Sequence, residues 1–130
     1  IIKSSEKIVP KSPGQKYRHY HPKADVILYK GDIENIIKKI NEDYEKFETE
    51  GKKVGIMSTV QTKLSYGSKK NICVGDRTIP LSISSNLFRD LRKFDQEGIE
   101  IILAESVDDY GLGKAIMNRL SKASGKIIIV

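Results

Sequence analysis

Short apolar runs alternate along this chain with longer segments in which apolar residues recur every three or four positions. Five of the runs have the length and composition of β-strands and lie at 25–29, 53–58, 71–74, 99–103 and 126–130. The three amphipathic segments between them have the periodicity of α-helices and begin near Asp32, Ser82 and Gly111. This alternation predicts an α/β domain of three layers, with about five mostly parallel strands and three helices.

Local signals predict where the helices begin and end. Asp32 is a good N-cap, because its carboxylate can accept the free N–H groups of a first helical turn. The second helix is predicted to begin within Ser82–Ser85, where hydroxyl groups can serve as caps. A glycine is placed to end each helix, and these are Gly51, Gly98 and Gly125. The run at 99–103 is apolar enough to be a strand covered on both faces.

The first 24 residues differ in kind from the rest. Between Lys7 and Ala24 there is no acidic residue, and five side chains are cationic: Lys7, Lys11, Lys16, Arg18 and Lys23. Prolines and a glycine interrupt this stretch, and it lacks apolar periodicity. We therefore predict an extended N-terminal arm at 1–24 and a globular domain at 25–130. The arm is either a basic linker or a loop that closes on an anionic ligand, with tyrosines and histidines able to stack on a base.

Composition narrows the classes of function. The chain has 130 residues, enough for one domain, and a net charge of +6, which favours anionic partners such as nucleotides or nucleic acid. A single cysteine excludes an internal disulfide and a cysteine-rich zinc site. The longest apolar runs are far shorter than the roughly 20 residues of a spanning helix. We expect a soluble, cytoplasmic protein without a membrane partner.

The globular part has few candidates for chemistry. Gly111-Leu112-Gly113-Lys114 either cradles an anion or makes a tight turn with close helix packing. Cys73, between apolar neighbours in a strand, is expected to be a buried, inert thiol rather than a nucleophile. Asp108 and Asp109 are either metal ligands or helix-entry caps. Because 25–130 has no histidine, we expect no catalytic constellation and no metal site there.

Two segments carry a family resemblance. Ser12 to Lys23 reads SPGQKYRHYHPK and resembles the interdomain linker of the long form of threonylcarbamoyl-AMP synthase. It departs from that linker at Gln15, where methionine is usual, and at His21, where alanine is usual. The segments at 86–105 and 111–124 are similar to the C-terminal domain of the same family. The resemblance thus covers nearly the whole chain.

The resemblance implies a Rossmann-like domain that belongs to a larger enzyme. The family joins ATP, bound with Mg²⁺, to L-threonine and bicarbonate, and releases pyrophosphate. The product serves the threonylcarbamoyl modification of adenosine 37 in tRNA. The catalytic sites lie in a YrdC-like domain that this chain lacks, so the chain alone is expected to be inactive and to hold no ATP tightly.

The linker of the family folds over the active-site opening. Carried over to this chain, the residues that would touch ATP or close the site are Lys16, Tyr17, Arg18, His19 and Tyr20, with His19 as the direct ATP contact. The residues that would shape the loop are Ser12, Pro13, Gly14 and Pro22. Two other hypotheses remain open: a stand-alone basic module that binds RNA or tRNA, and a nucleotide-binding regulatory domain.

Overall fold

A computed structural model describes residues 22–108 and 111–130. The five strands are β1 (Asp25–Lys30), β2 (Val54–Ser58), β3 (Asn71–Cys73), β4 (Ile101–Glu105) and β5 (Lys126–Ile129). The three α-helices are α1 (Ile33–Thr49), α2 (Pro80–Gln96) and α3 (Leu112–Ala123), and a 3₁₀ turn spans Lys63–Tyr66. The predicted α/β class, with about five strands and three helices, is confirmed.

The strands form one sheet in the order β3-β2-β4-β1-β5, and every neighbouring pair is parallel. In β4, Leu103 lies opposite Ile27 of β1 on one side and Ile56 of β2 on the other. All five residues of β4 are buried, as a strand with layers on both faces must be. The expectation for this apolar run is therefore confirmed.

Helices cover both faces of the sheet, and alternate strand residues divide between two cores. Tyr29 and Leu103 belong to the core beneath α1. Leu28 and Ile102 belong to the core beneath α2 and α3, together with Phe94. This period-two alternation follows from strand geometry, in which successive side chains point to opposite faces.

One glycine lets α2 approach the sheet closely. A Cβ atom on Gly55 of β2 would lie 2.5 Å from the ring of Phe94, which is fully buried. Every other residue type at this position would displace that ring. Gly55 therefore fixes how closely α2 packs on the central strands.

One predicted helix start and one predicted capping bond need correction. Helix α2 begins at Pro80, before Ser82–Ser85, because the fixed φ of proline suits the first helical position and its missing N–H has no partner to lose. The hydroxyl of Ser82 donates instead to the carbonyl oxygen of Ile79 at 2.7 Å. Asp32 does occupy the N-cap of α1, but its side chain makes no capping bond.

Three further details differ from the prediction. Strand β4 lies two residues later than 99–103, so that Glu105 becomes its last residue. Helix α3 ends at Ala123, before Gly125, whereas Gly51 and Gly98 follow their helices with φ of +86° and +75°. Cys73 is half-buried rather than buried. None of the helices in the described part combines the length and apolarity that crossing a bilayer requires.

The chain enters the domain at a fixed point. The backbone N–H groups of Lys23 and Ala24 donate to the two carboxylate oxygens of Asp95, at 2.9 and 3.1 Å. Asp95 lies at the end of α2, and Ala24 is itself buried in the core. The residues just before β1 are therefore tied to α2.

Asp90 is a buried acidic side chain in α2 that lacks full hydrogen bonding. One carboxylate oxygen accepts from Arg89 Nε at 3.3 Å, and the other has no hydrogen-bond partner among the described residues. Burial raises the pKa of this carboxyl above its usual value, against the lowering effect of Arg89. The folded state therefore disfavours the ionised form.

We expect Asp90→Asn to stabilise the domain at pH 7 by about 1 kcal/mol, since it removes a buried, incompletely paired charge. When an acidic group has a raised pKa in the folded state, the free energy of unfolding of the protein falls as pH rises from the unfolded-state pKa, about 4, through the folded-state value. The gain should thus be largest near neutrality and should shrink towards pH 4. Urea unfolding of both proteins across pH 4–8 measures it. A gain that does not change with pH would contradict this origin.

Candidate functional site

The arm residues singled out by sequence lie outside the described residues, with one exception. The arm candidates outside them are Ser12, Pro13, Gly14, Lys16, Tyr17, Arg18, His19 and Tyr20. Pro22 lies within the described part, where it is half-buried just before the Asp95 contacts. The described part has its own concentration of polar groups where the strands end.

A cluster of five side chains lies at the carboxyl edge of the sheet, and we call it the carboxyl-edge cluster: Thr59, Thr62, Tyr66, Arg77 and Glu105. Its centre is Glu105, whose side chain has no exposed surface. Oε1 of Glu105 accepts from Thr59 Oγ1 at 3.1 Å and from Arg77 Nη2 at 2.9 Å. Oε2 accepts from Thr62 Oγ1 at 2.5 Å and from the hydroxyl of Tyr66. Four donors thus surround one buried carboxylate.

Arg77 supplies the positive charge that balances Glu105, and the protein accepts hydrogen bonds from two of its three guanidinium nitrogens, Nε and Nη2. Nη2 also donates to the carbonyl oxygen of Ser106 at 2.8 Å, and Nε donates to Thr59 Oγ1 at 3.2 Å. Nη1 makes no hydrogen bond to any residue that the structure describes, and one fifth of the side chain is exposed. The guanidinium is therefore oriented by the protein while two of its N–H donors remain available.

The loop that carries Arg77 is fixed by its neighbours. Oδ1 of Asp76 accepts from the backbone N–H of Thr78 at 2.8 Å, from the hydroxyl of Thr78 at 2.6 Å and from Gln61 Nε2 at 2.7 Å. These bonds hold the pKa of Asp76 below its usual value, and the bond from the Thr78 hydroxyl has the largest effect. Gln61 also accepts from the backbone N–H of Arg77 at 3.0 Å. The loops after β2 and β3 are thus joined.

Tyr66 acts as a hydrogen-bond donor in this cluster. Burial, followed by the negative charge of Glu105, raises the pKa of its hydroxyl far above the usual value. The phenol is therefore protonated at physiological pH and donates to Glu105. The cluster positions charges and donors, and it offers no activated nucleophile.

A pocket of about 440 Å³ opens beside Arg77. Its lining residues come from the loops after β3 and β4 and from the starts of α2 and α3, and they are Arg77, Thr78, Pro80, Ile83, Val107, Asp108 and Gly113. A more open groove of about 610 Å³ runs along α3, and its polar lining residues are Lys30, Lys114, Asn118 and Ser121. Ligands of parallel α/β sheets bind outside the carboxyl ends of the strands, which is where the first pocket lies.

The structure favours the packing interpretation of Gly111-Leu112-Gly113-Lys114. A Cβ atom on Gly113 would lie 2.1 Å from the carbonyl oxygen of Asp108, so only glycine fits there. Lys114 lines the groove along α3 rather than the pocket beside Arg77. Within residues 22–108 and 111–130, no group of three or more His, Cys, Asp or Glu side chains is placed to hold a metal ion.

Sequence reasoning missed Arg77 and Glu105. The predicted strand ends at residue 103, so Glu105 falls outside it, in a position where a carboxylate would be solvated and need no partner. A usable signal was present, since IILAE continues an apolar run directly into an acidic residue. A carboxylate at the end of a central strand must be paired and hydrogen-bonded, and that requirement points to a cation in a neighbouring loop.

The all-parallel sheet with helices on both faces defines a doubly wound α/β domain, and the described part of this domain holds a polar cluster without a nucleophile. The family is established by comparison: the model of the threonylcarbamoyl-AMP synthase C-terminal domain matches residues 2–125. The chain belongs to this family.

Relatives from distant organisms agree with this assignment. The chain is 47% identical over 119 residues to the threonylcarbamoyl-AMP synthase of Pyrococcus abyssi, a match that covers 92% of this chain and 33% of the relative. It is 37% identical over 120 residues to the Bacillus subtilis enzyme of the same name, covering 92% of this chain and 34% of the relative. The chain spans about one third of the length of the relatives it matches.

Crystal structures of relatives share the fold. P. abyssi Sua5 in complex with L-threonine has a TM-score of 0.77 at 46% identity, and the match covers 94% of this chain and 34% of that one. A P. abyssi Sua5 variant with a histidine and the next tyrosine replaced by alanine has a TM-score of 0.75 at 43% identity, covering 85% and 31%. A separate C-terminal Sua5 domain from Pyrococcus horikoshii has a TM-score of 0.68 at 35% identity, covering 84% and 99%.

The buried cluster predicts that replacing Glu105 destabilises the domain much more than replacing Glu97. Glu105→Ala should destabilise the domain by about 3–5 kcal/mol, because it leaves Arg77 without its counter-charge and three hydroxyls without their acceptor. Glu97→Ala removes a glutamate from a partly exposed ion pair with Lys70 and should cost less than about 1 kcal/mol. Urea unfolding at pH 7 measures both. Equal, small effects would show that the cluster does not stabilise the fold.

Proposed function

We propose that this chain is the accessory C-terminal domain, with its linker, of an L-threonylcarbamoyladenylate synthase. The whole enzyme would join ATP, L-threonine and bicarbonate, release pyrophosphate, and provide the product for the modification of adenosine 37 in tRNA. The observation that carries the proposal is the family match over residues 2–125, which includes both arm and domain. The remaining two thirds of the relatives' length leave room for the YrdC-like catalytic domain.

In this proposal the arm is the part that reaches the active site. Residues 1–21 hold 5 of the 23 cations and 1 of the 17 acidic residues, which leaves 18 and 16 for residues 22–130. The excess positive charge of the chain is thus concentrated in the arm, where it can neutralise phosphate groups. Lys16 and Arg18 would contact the phosphates of ATP, and Tyr17, His19 and Tyr20 would stack or donate hydrogen bonds.

The P. abyssi variant supports the choice of a neighbouring histidine and tyrosine as candidate site residues. That protein carries alanine in place of a histidine and the tyrosine that follows it. The sequence of the present chain contains one such dipeptide, His19-Tyr20. We therefore place His19 and Tyr20 among the residues that contact nucleotide, with Ser12, Pro13, Gly14 and Pro22 shaping the loop around them.

A lid suits the chemistry of this reaction. A carbamate of threonine and its mixed anhydride with AMP both react with water, so excluding solvent would protect them. Cationic lid residues would also stabilise charge on the phosphates during adenylyl transfer. Mg²⁺ would bind with ATP on the catalytic domain, since the described residues provide no cluster of metal ligands. The enzyme would act in the cytoplasm.

We expect His19→Ala and Tyr17→Ala in the full-length protein to lower kcat/KM for pyrophosphate release by roughly tenfold or more. The assay contains ATP, L-threonine and bicarbonate. Lys46→Ala is the control, because Lys46 lies on the exposed side of α1 and its removal also takes away one positive charge, but from outside the arm segment. Undiminished activity in both arm variants would show that the arm only connects the two domains and does not take part in the reaction.

The chain by itself distinguishes this proposal from the RNA-binding alternative. Under the proposal, the chain releases no pyrophosphate and binds ATP weakly or not at all. A stand-alone RNA-binding module would instead bind tRNA with an affinity that falls steeply with salt and ignores ATP. Fluorescence anisotropy with labelled tRNA between about 50 and 200 mM salt separates the two outcomes.

A further inference from the structure

We propose that Asp95 is a positioning residue for the arm. It fixes the point and the direction at which the chain enters the domain, and thereby places His19 and its neighbours where they reach the nucleotide. Asp95 itself touches neither substrate nor reacting atoms, and it acts only through the arm. This inference rests on the proposed function of the arm, and the experiment below lets the two fail separately.

Three consecutive backbone N–H groups are held where the arm meets β1. The N–H of Asp25 donates to the carbonyl oxygen of Glu100 at 2.9 Å. The N–H groups of Lys23 and Ala24 donate to the two carboxylate oxygens of Asp95, and we call these two hydrogen bonds the entry clamp. Without the side chain of Asp95, Lys23 and Ala24 lose these acceptors. The first held N–H along the described chain would then be that of Asp25.

The position of Asp95 is unfavourable for the helix that carries it. Asp95 directly precedes Gln96, the last residue of α2, and an acidic side chain in the last turn of a helix opposes the helix dipole. An ionised carboxylate forms stronger hydrogen bonds to N–H groups than a neutral acceptor does. Through the entry clamp, Asp95 therefore stabilises the path of the entering chain rather than its own helix.

The entry clamp fixes a direction as well as a point. The side chain of Ala24 is buried in the core beneath α2 and α3, while the N–H groups on both sides of the Lys23 Cα are held by Asp95. Peptide units are planar, so two successive held N–H groups leave the backbone between them little freedom. The ring of Pro22, one residue earlier, restricts its own φ. The chain therefore enters the domain along one path, beside the end of α2.

The chain between the entry clamp and the proposed ATP contacts is short. His19 lies four residues before Lys23, so their Cα atoms can be at most about 14 Å apart. Tyr17 lies six residues before Lys23, which sets a limit of about 22 Å. A change in the direction of entry is therefore passed on to both side chains. Misplacing a catalytic contact by about 1 Å can lower a rate about 100-fold, so a fixed entry favours catalysis.

The test measures pyrophosphate release by the full-length protein with ATP, L-threonine and bicarbonate. Asp95→Ala removes both acceptors and is expected to lower kcat/KM at least about fivefold. Asp95→Asn keeps the shape of the side chain and one acceptor oxygen, so its loss should be smaller. Glu100→Ala is the matched control, because the Glu100 carboxylate also accepts from a backbone N–H, that of Lys53 at 2.9 Å, but at the entry to β2. It should leave kcat/KM unchanged.

A double-mutant cycle separates positioning of the arm from a general effect on the fold. Asp95→Ala is also made in a protein that carries Tyr17→Ala and His19→Ala. If Asp95 acts through these side chains, its replacement should then change kcat/KM by less than about twofold. A general effect on the fold would lower kcat/KM by the same factor in both backgrounds. Urea unfolding of each variant shows that the assay temperature leaves it folded, and Asp95→Asn completes the same cycle where Asp95→Ala does not fold.

The outcomes distinguish this inference from the proposed function. Loss of activity in the variants of Tyr17 and His19, with an Asp95 effect that disappears in their background, supports both. Loss in those variants, with full activity of Asp95→Ala or with equal factors in the two backgrounds, would overturn the role of Asp95 and leave the arm its function. Full activity of the variants of Tyr17 and His19 would overturn both proposals.

Discussion

A carboxylate that leaves water must recover its hydrogen bonds and a counter-charge within the protein, and Glu105 does so at the end of the central strand. Its two oxygens accept from three hydroxyls and one guanidinium that come from the loops after β2 and β3. Breaking such a buried pair is costly, because the charge left behind has no partner. The positions of both loops, and of the pocket beside them, therefore depend on this one buried charge.

The architecture could be predicted from the sequence because strands and helices each require a characteristic spacing of apolar residues. Apolar runs and helical repeats correctly gave five strands and three helices, since burying one face of each element requires that spacing. The start of α2 and the capping bond of α1 were less predictable. Pro80 outweighed the serines after it through its fixed φ, and nothing in the sequence around Asp32 shows that its side chain leaves the helix end unbonded.

The candidate site was harder to predict because its residues meet only in three dimensions. Thr59, Arg77 and Glu105 are separated by 18 and 28 positions along the chain, and each alone looks like an ordinary loop or strand-end residue. The arm, in contrast, was conspicuous because its aromatic, histidine and cationic residues are contiguous. Sequence reading thus finds sites built from one segment more readily than sites assembled by a parallel sheet.

Helix α2 connects the two ends of the domain. It begins with Pro80 in the wall of the pocket and carries near its end Asp95, which holds the backbone of Lys23 and Ala24 where the arm joins β1. Seventeen residues of α-helix span about 25 Å. The contact that holds the entry of the chain and the wall of the pocket therefore lie near opposite ends of the same helix. A single helix thus spans the domain from the residues that precede β1 to the cavity at the carboxyl edge of the sheet.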